Sequence, residues 1–457
     1  MVLEEMLECI NILLENRNIS ELKRSLNEVN PVDIARLLEE IEDERQRTFL
    51  FRMLTKENAA ETFVEFDGDT QENLIRAFSD TELREVLDEI YIDDAADIIE
   101  EMPATIVKRI LKNTDKETRE AINTILKYPD DSAGSIMTPE FVDLKKDMTV
   151  EDAFKRIRRT GVDKETIYTC YVTDASRHLI GVTTVKELLL NDYDDVIEDF
   201  METNVISINT LDDQEYASDM LSKYDFLALP VVDMENRLVG IITYDDAIDV
   251  IQEENTEDIQ KMAAIVPTDT PYLKTSVFET FKKRIPWLML LMVSATITSQ
   301  ILTTFENKLA SVMVLTAFIP MLMDTGGNTG SQASVSIIRA LSLGEIGNRD
   351  IFKVLWKEIR VALCCGISLS VICFAKLMLF DRVIMGNVGV TVIVAIVISL
   401  TILVEIILAK IVGCTLPIVA KKIGFDPAVM ASPFITTIVD AISLLVYIAF
   451  ASLLLGV

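Results

Sequence analysis

Five apolar runs, at about 287–304, 309–338, 361–380, 388–412 and 428–455, fill the C-terminal part of this 457-residue chain. Each is near or above the ~20 residues that an α-helix needs to cross the ~30 Å hydrocarbon core of a bilayer. A chain with five such runs is expected to be a multidomain membrane protein whose residues 277–457 form an all-α domain of five helices. That stretch holds 14 Lys/Arg and 10 Asp/Glu, whereas the first 276 residues hold 29 and 63. The first part is therefore a strongly acidic soluble body, which argues against nucleic acid and for divalent cations as partners. Basic residues sort by side: Lys282, Lys283, Arg284, Arg339, Arg349, Lys353, Lys357, Arg360, Lys421 and Lys422 fall on one, and Lys308 and Arg382 on the other. The positive-inside rule then makes the acidic body cytoplasmic and the C-terminus extracytoplasmic. An odd number of crossings cannot divide into two equal inverted halves, so a symmetric pathway would come from two chains, a homodimer in membrane lipid.

Residues 1–130 read as a helical domain with a loose repeat. "PVDIARLLEEI", "KENAAETFVEF" and "IDDAADIIEEM" align with Ala35, Ala60 and Ala96 in register, the pattern of similar helices stacked into a superhelix. After the turn-rich "YPDDSAGSIMTPEF", residues 131–252 alternate strand and helix, again in two copies. "YVTDASRHLIGVTTVKELLL" is echoed by "PVVDMENRLVGIITYDDAID". The pair resembles tandem CBS domains, an α/β module that often dimerises and often binds ATP or another adenine nucleotide. The resemblance gives Thr243 and Asp246, after Gly240, the nucleotide-holding places. A long acidic helix follows from Asp245 to about Ile265, and residues 253–276 connect the pair to the membrane domain.

The six cysteines show no C-x-x-C spacing and His178 is the one histidine, so the usual zinc clusters are excluded and nothing suggests a disulfide framework. The acidic start "MVLEEMLECINILLENRN" has no basic n-region and does not read as a signal peptide.

Two membrane runs carry polar chemistry. "AFIPMLMDTGGNTGSQASVSIIRA" sets Pro320, Gly326, Gly327, Gly330, Asp324, Asn328 and Gln332 inside an apolar span, which reads as an interrupted helix facing protein or water. In the fifth run Asp440 stands alone, and Pro433, Thr436, Asp440, Ser443 and Tyr447 share one helical face. A carboxylate at the centre of a membrane helix costs ~2.5–3.5 kcal/mol on insertion scales, so it usually marks function. Paired across a two-fold axis, such acids would select cations. Carboxylates, carbonyls and hydroxyls suit magnesium, calcium or manganese. The sparseness of the acids leans towards magnesium, which keeps much of its water.

The whole chain resembles the MgtE family of magnesium channels and transporters. The resemblance rests on domain order, on "GGNTGSQ" in the second run and on "DPAVMASPFITTIVD", Asp426 to Asp440, in the fifth. It implies a bacterial cytoplasmic-membrane homodimer importing Mg2+ through a pore between subunits. Asp440 would hold the hydrated ion, with Asp426, Thr436, Ser432 and Asn328 as pore-lining neighbours. Ser432 stands where an Asn occurs in a relative, and Asp324 where a glycine can occur. Feedback by cytoplasmic Mg2+ is implied as well, at Glu61, Asp93 and Asp97, at Asp213, Glu215 and Asp225, and at Asp246, Asp249, Glu254, Glu257 and Asp258. The physics agrees, because an ion bridging acids on two domains would favour one closed state, and its loss would let them repel. Alternatives are a CBS-regulated divalent-cation exporter or exchanger, and a membrane-anchored cation sensor. An enzyme is not expected: an aspartic protease needs two carboxylates sharing a proton. One D-T-G is present, at 324–326, and although Asp324 and Asp440 could pair within the membrane, the flanking G-x-G-D signature is absent.

Overall fold

The computed structural model describes residues 2–268, 270, 272–305, 312–347, 349–430 and 432–456, with the side chains of residues 2–4, 163 and 432 outside that description. It divides into two compact units, Met1–Ile251 and Gln252–Val457.

In the first unit, short helices run from Val2–Glu15 to Lys116–Ile125. Their starts are written in the sequence. Asn30, Asp43, Thr55, Asp67 and Asp115 each accept a hydrogen bond from a backbone N–H of the first turn, and Ser79 with Glu82 forms a reciprocal capping box. Such caps are worth ~1 kcal/mol each. Pro31–Glu39 packs on Lys56–Val64, which packs on Asp80–Leu87, which packs on Ala104–Asn113. This every-second-helix contact is the superhelical arrangement that the repeat implies. Ala35, Ala60 and Ala96 are all buried, so the aligned alanines mark the places where neighbouring helices approach closely. Phe51, Phe63, Phe66 and Phe78 form the aromatic centre, with ring centroids 5.5–6.3 Å apart.

The two α/β copies build matching three-stranded sheets. β1 (Val142–Lys145), β2 (Thr169–Thr173) and β3 (Leu179–Thr184) make one; β4 (Ile208–Asn209), β5 (Ala228–Val232) and β6 (Leu238–Thr243) make the other. In each, the first strand is parallel to the second and the second antiparallel to the third. A register shift recurs at Val172/Thr173 and Val231/Val232. Gly181 and Gly240 also correspond: a Cβ at either would collide with Met201 or Met137.

The long acidic helix is Tyr244–Met262. The rest of the stretch assigned to the connection, 263–276, has no helix among its described residues. Among the described residues, four helical segments of the second unit are long and apolar enough to cross a membrane: Val277–Thr304, Ile351–Ile384, Val392–Lys422 and Pro427–Leu455. The more polar Ile319–Ser342, 24 residues long, is about 36 Å from end to end and completes the set of five. Lys308 and the start of the second apolar run, 309–311, lie outside the described residues.

The interruption expected in the second membrane helix is absent: Ile319–Ser342 is one continuous α-helix. Pro320 sits in its first turn, where a missing N–H costs nothing. Thr325 and Thr329 donate their hydroxyls to the carbonyls of Met321 and Thr325. The glycines serve contact between helices. A Cβ at Gly413, on Val392–Lys422, would lie 2.3 Å from the Gly330 carbonyl oxygen, and one at Gly330 would lie 2.8 Å from Ile435. This is small-residue packing of the kind that lets membrane helices touch backbone to backbone. Gly413→Val should therefore force the second and fourth helices apart, costing ~1–3 kcal/mol or more. Gly347→Ala, where the nearest atom is 4.0 Å away, should leave melting of the detergent-solubilised protein unchanged. Equal melting of the two variants would refute this packing role.

Candidate functional site

Asp440 is in the first half of the fifth membrane helix, Ser432–Leu455. It is partly buried and, among the described residues, makes no hydrogen bond or ion pair. Asp324 and Glu405 are within its electrostatic reach. A structural tether from Asn328 is not made, because Asn328 Nδ2 donates to Asp324 Oδ1 at 3.1 Å. Thr436 packs its methyl against Gly327 and donates its hydroxyl to the Pro433 carbonyl at 2.9 Å. The Ser432 side chain lies outside the described residues.

The polar face expected to run down this helix divides in two. Pro433, Thr436 and Asp440 remain partly accessible, but Ser443 and Tyr447 are buried inside the chain. Ser443 donates to Glu405 Oε1 at 2.6 Å and Tyr447 to the Leu315 carbonyl at 3.0 Å. These two hold helices together, since a buried hydroxyl in an apolar setting must find an acceptor.

Glu405 was not among the expected site residues. It is 1% exposed, its Oε1 would lie 2.1 Å from a Cβ at Gly326, and its Oε2 has no hydrogen-bond partner among the described residues. The signal was available, because Glu405 is the one acid in the apolar run 388–412. Lys410, further along the same helix, pairs with Glu358 at 3.1 Å, both largely buried.

In the first unit, acids from distant parts of the sequence converge. Asp93, in the first turn of Ile92–Glu101, is 8% exposed and its Oδ1 is buried without a hydrogen-bond partner among the described residues. Asp246, Asp94 and Glu165 act on it electrostatically. Glu140 and Asp245 join the same set, and Glu140 Oε2 accepts the Ile92 N–H at 2.9 Å. Glu165 Oε2 is likewise buried without a partner. Burial and the neighbouring acids push Asp93 and Asp246 upward, Asp94 to about 7 and Glu165 to about 8. Desolvation of the charged form is the leading cause in each case. Asp94, Glu140, Glu165 and Asp245 escaped the sequence reading, as ordinary acids of helix starts and turns. Asp249 belongs to the edge of this group, and Glu61 is exposed beside Tyr91. Asp97 is an exposed residue one turn after Asp93.

The other expected acids fall elsewhere. Asp213 caps Gln214–Tyr224 by accepting the Glu215 N–H at 2.8 Å, and Asp225 ends that helix in the left-handed conformation at φ 54°. Glu257 and Asp426 both engage Lys261, each at 2.7 Å. Asp426 also accepts the Ala428 N–H at 2.7 Å, so it ties the start of the last helical segment to the connecting helix. Asp258 is pushed upward by burial and by Asp426, and Glu254 lies four residues before it, partly buried. Among the described residues no three His, Cys, Asp or Glu side chains are arranged to chelate an ion directly. Thr243, 5% exposed, gives its hydroxyl to Asp246.

Comparison with known proteins follows the same division. A divalent cation transporter family matches residues 319–450, an MgtE intracellular N domain matches 29–131, and CBS domains match 133–193 and 197–253. The magnesium transporter MgtE of Thermus thermophilus is 34% identical over 97% of both chains, and that of Bacillus subtilis 30% identical over 99% of this chain and 98% of the other. The crystal structure of the soluble part of a magnesium transporter matches 55% of this chain and 99% of its own, at 31% identity and a TM-score of 0.52. The cytosolic domain of the Mg2+ channel MgtE in complex with ATP matches 53% of this chain and 98% of its own, at 34% identity and a TM-score of 0.50. With relatives alike from end to end, this membrane protein belongs to the MgtE family.

Proposed function

We propose that this chain conducts Mg2+ into the cell across the bacterial cytoplasmic membrane, as a homodimer whose pore runs beside Asp440. Its acidic first unit lies in the cytoplasm and its C-terminus outside, and no catalysis is involved. Family membership supports the transported ion. The observation that carries the pore assignment is the Asp440 carboxylate, which has no hydrogen-bond or ion-pair partner among the described residues while the other polar groups of its face are satisfied. Hydrated Mg2+ is a fitting cargo, because it needs few direct ligands and one well-placed charge.

Closure belongs to the acids of the first unit. Cytoplasmic Mg2+ entering among Asp93, Asp94, Glu165 and Asp246 cancels their repulsion and holds the N-terminal helices to the α/β pair. The continuous helix Tyr244–Met262 carries that state towards Lys261 and Asp426. Asp97, Glu61 and Asp249 add charge at the rim, and Asp213, Glu215, Asp225, Glu254, Glu257 and Asp258 supply secondary sites. An adenine nucleotide at the α/β pair is part of the same reading. At Thr243 and Asp246 it would arrive with metal-neutralised phosphates, since bare phosphates would meet a field of carboxylates. In proteoliposomes, Mg2+ uptake should run when the cytoplasmic face is low in Mg2+ and fall several-fold when it is high. Uptake indifferent to cytoplasmic Mg2+ would end the feedback reading.

A further inference from the structure

A cavity of about 380 Å³, formed mostly by the first α/β copy and closed by Leu238 of the second, has a lining that departs from the acidic character of the first 276 residues. Arg156, Lys164 and Arg177 line it with a single acid, Asp143, over a floor that includes Phe141 and Leu238. Asp143 is already engaged: the Arg156 guanidinium and the Lys145 ammonium, the latter at 3.6 Å, both pair with it. Among the described residues the side chains of Lys164 and Arg177 make no hydrogen bond or ion pair. Two cations thus face the cavity uncompensated, in a segment of 276 residues where acids outnumber bases 63 to 29.

The internal repeat supplies an independent observation. Arg177 occupies the turn between β2 and β3 at φ 69°, and its counterpart between β5 and β6 is Asn236 at φ 62°. The two turns are built alike, each organised by an aspartate, Asp174 or Asp233, that accepts backbone N–H groups. Asn is the ordinary non-glycine residue for this left-handed conformation, and Arg is not. Arg156 of the cavity also lacks a basic counterpart in the second copy: aligned on Thr149 and Asp213, it corresponds to Met220. Local backbone preference disfavours Arg177, the twin turn does without it, and the residue, itself exposed, lines the cavity. Strain kept at one of two equivalent turns points to a use for the side chain.

We propose that this cavity binds a small organic phosphate, with the phosphate held by Arg156, Lys164 and Arg177 and a compact apolar part resting on Phe141 and Leu238. Planar guanidinium groups match phosphate oxygens in paired hydrogen bonds, which an ammonium supplements as a point charge. The site is separate from Thr243 and Asp246, where carboxylates dominate. It places an anion sensor beside the cation sensor in the same cytoplasmic unit.

Phenyl phosphate is a suitable probe, titrated calorimetrically into the full-length protein in detergent without divalent cations. Wild type should bind it more tightly than inorganic phosphate, and Arg177→Asn or Lys164→Gln should weaken it by roughly tenfold or more. Arg177→Asn installs the residue of the twin turn, so its melting temperature should not fall; loss of binding then cannot come from misfolding. Thr243→Val should bind phenyl phosphate as wild type does. Unchanged affinity in both cation variants, or no binding by wild type at millimolar probe, would overturn the proposal. ATP titrated separately with Mg2+ present reads the nucleotide assignment: ATP binding kept by Arg177→Asn but lost by Thr243→Val would support that assignment whatever phenyl phosphate does.

Discussion

Replacing Asp440 by alanine should reduce Mg2+ flux into proteoliposomes by a hundredfold or more, while dimer and fold persist. At an effective dielectric constant of ~20, one unit charge 4 Å from another contributes ~4 kcal/mol, and a divalent ion doubles the interaction. Retaining even a third of that in a hydrated path gives ~2.7 kcal/mol, about two orders of magnitude in rate. Asp440→Asn keeps the shape and removes the charge, so it should lose nearly as much. The fold should tolerate both, because Asp440 makes no hydrogen bond among the described residues whose loss would strand a partner. Asp324→Ala should cost less, since its carboxylate is shared with Asn328. Flux that survives Asp440→Ala would make that residue structural and shift the pore to Asp324 and Glu405.

Much of this was legible because the relevant signals are local. Cap residues announce helix starts, duplicated strand–turn–strand segments announce paired sheets, and a lone acid in an apolar run announces itself. The failures share a different cause. The glycines of "GGNTG" read as an interruption because glycine is a poor helix former in isolation. Its use here lies in the Gly330–Gly413 contact, between residues 83 positions apart. Ser443 and Tyr447 share a face with Asp440 by periodicity, yet a helix packed on two neighbours has more than one inside. Which part of a face stays accessible depends on partners such as Glu405 and Leu315 that the pattern cannot name. The acidic cluster shows the same limit: Asp93, Glu165 and Asp246 are far apart in sequence, and only the packing of the N-terminal helices on the α/β pair turns three common surface acids into one desolvated group.

That cluster predicts how stability should depend on pH and on Mg2+. A carboxyl raised in the folded protein binds its proton there at pH values where the unfolded chain has already released it. Stability from such groups is fully present below the unfolded pKa, ~4, and is lost as pH rises through the folded values of about 7 for Asp94 and about 8 for Glu165. In EDTA, the first melting transition of the full-length protein should therefore fall between pH 5.5 and pH 8. If solvent screening leaves a third of the effect, the change is on the order of 2 kcal/mol and several degrees. Mg2+ replaces the protons, so millimolar Mg2+ should restore the transition at pH 8 and do little at pH 5.5. The triple variant Asp93→Asn, Asp94→Asn, Glu165→Gln fixes the neutral state: its transition should be flat over this pH range and nearly indifferent to Mg2+. If the same ions close the pore, its uptake should also continue at high cytoplasmic Mg2+. A wild-type transition that rises towards pH 8 in EDTA would show that these acids are not desolvated. A flat triple variant that still shuts normally would place the cation sensor elsewhere, at Glu257, Asp258 and Asp426 around Lys261.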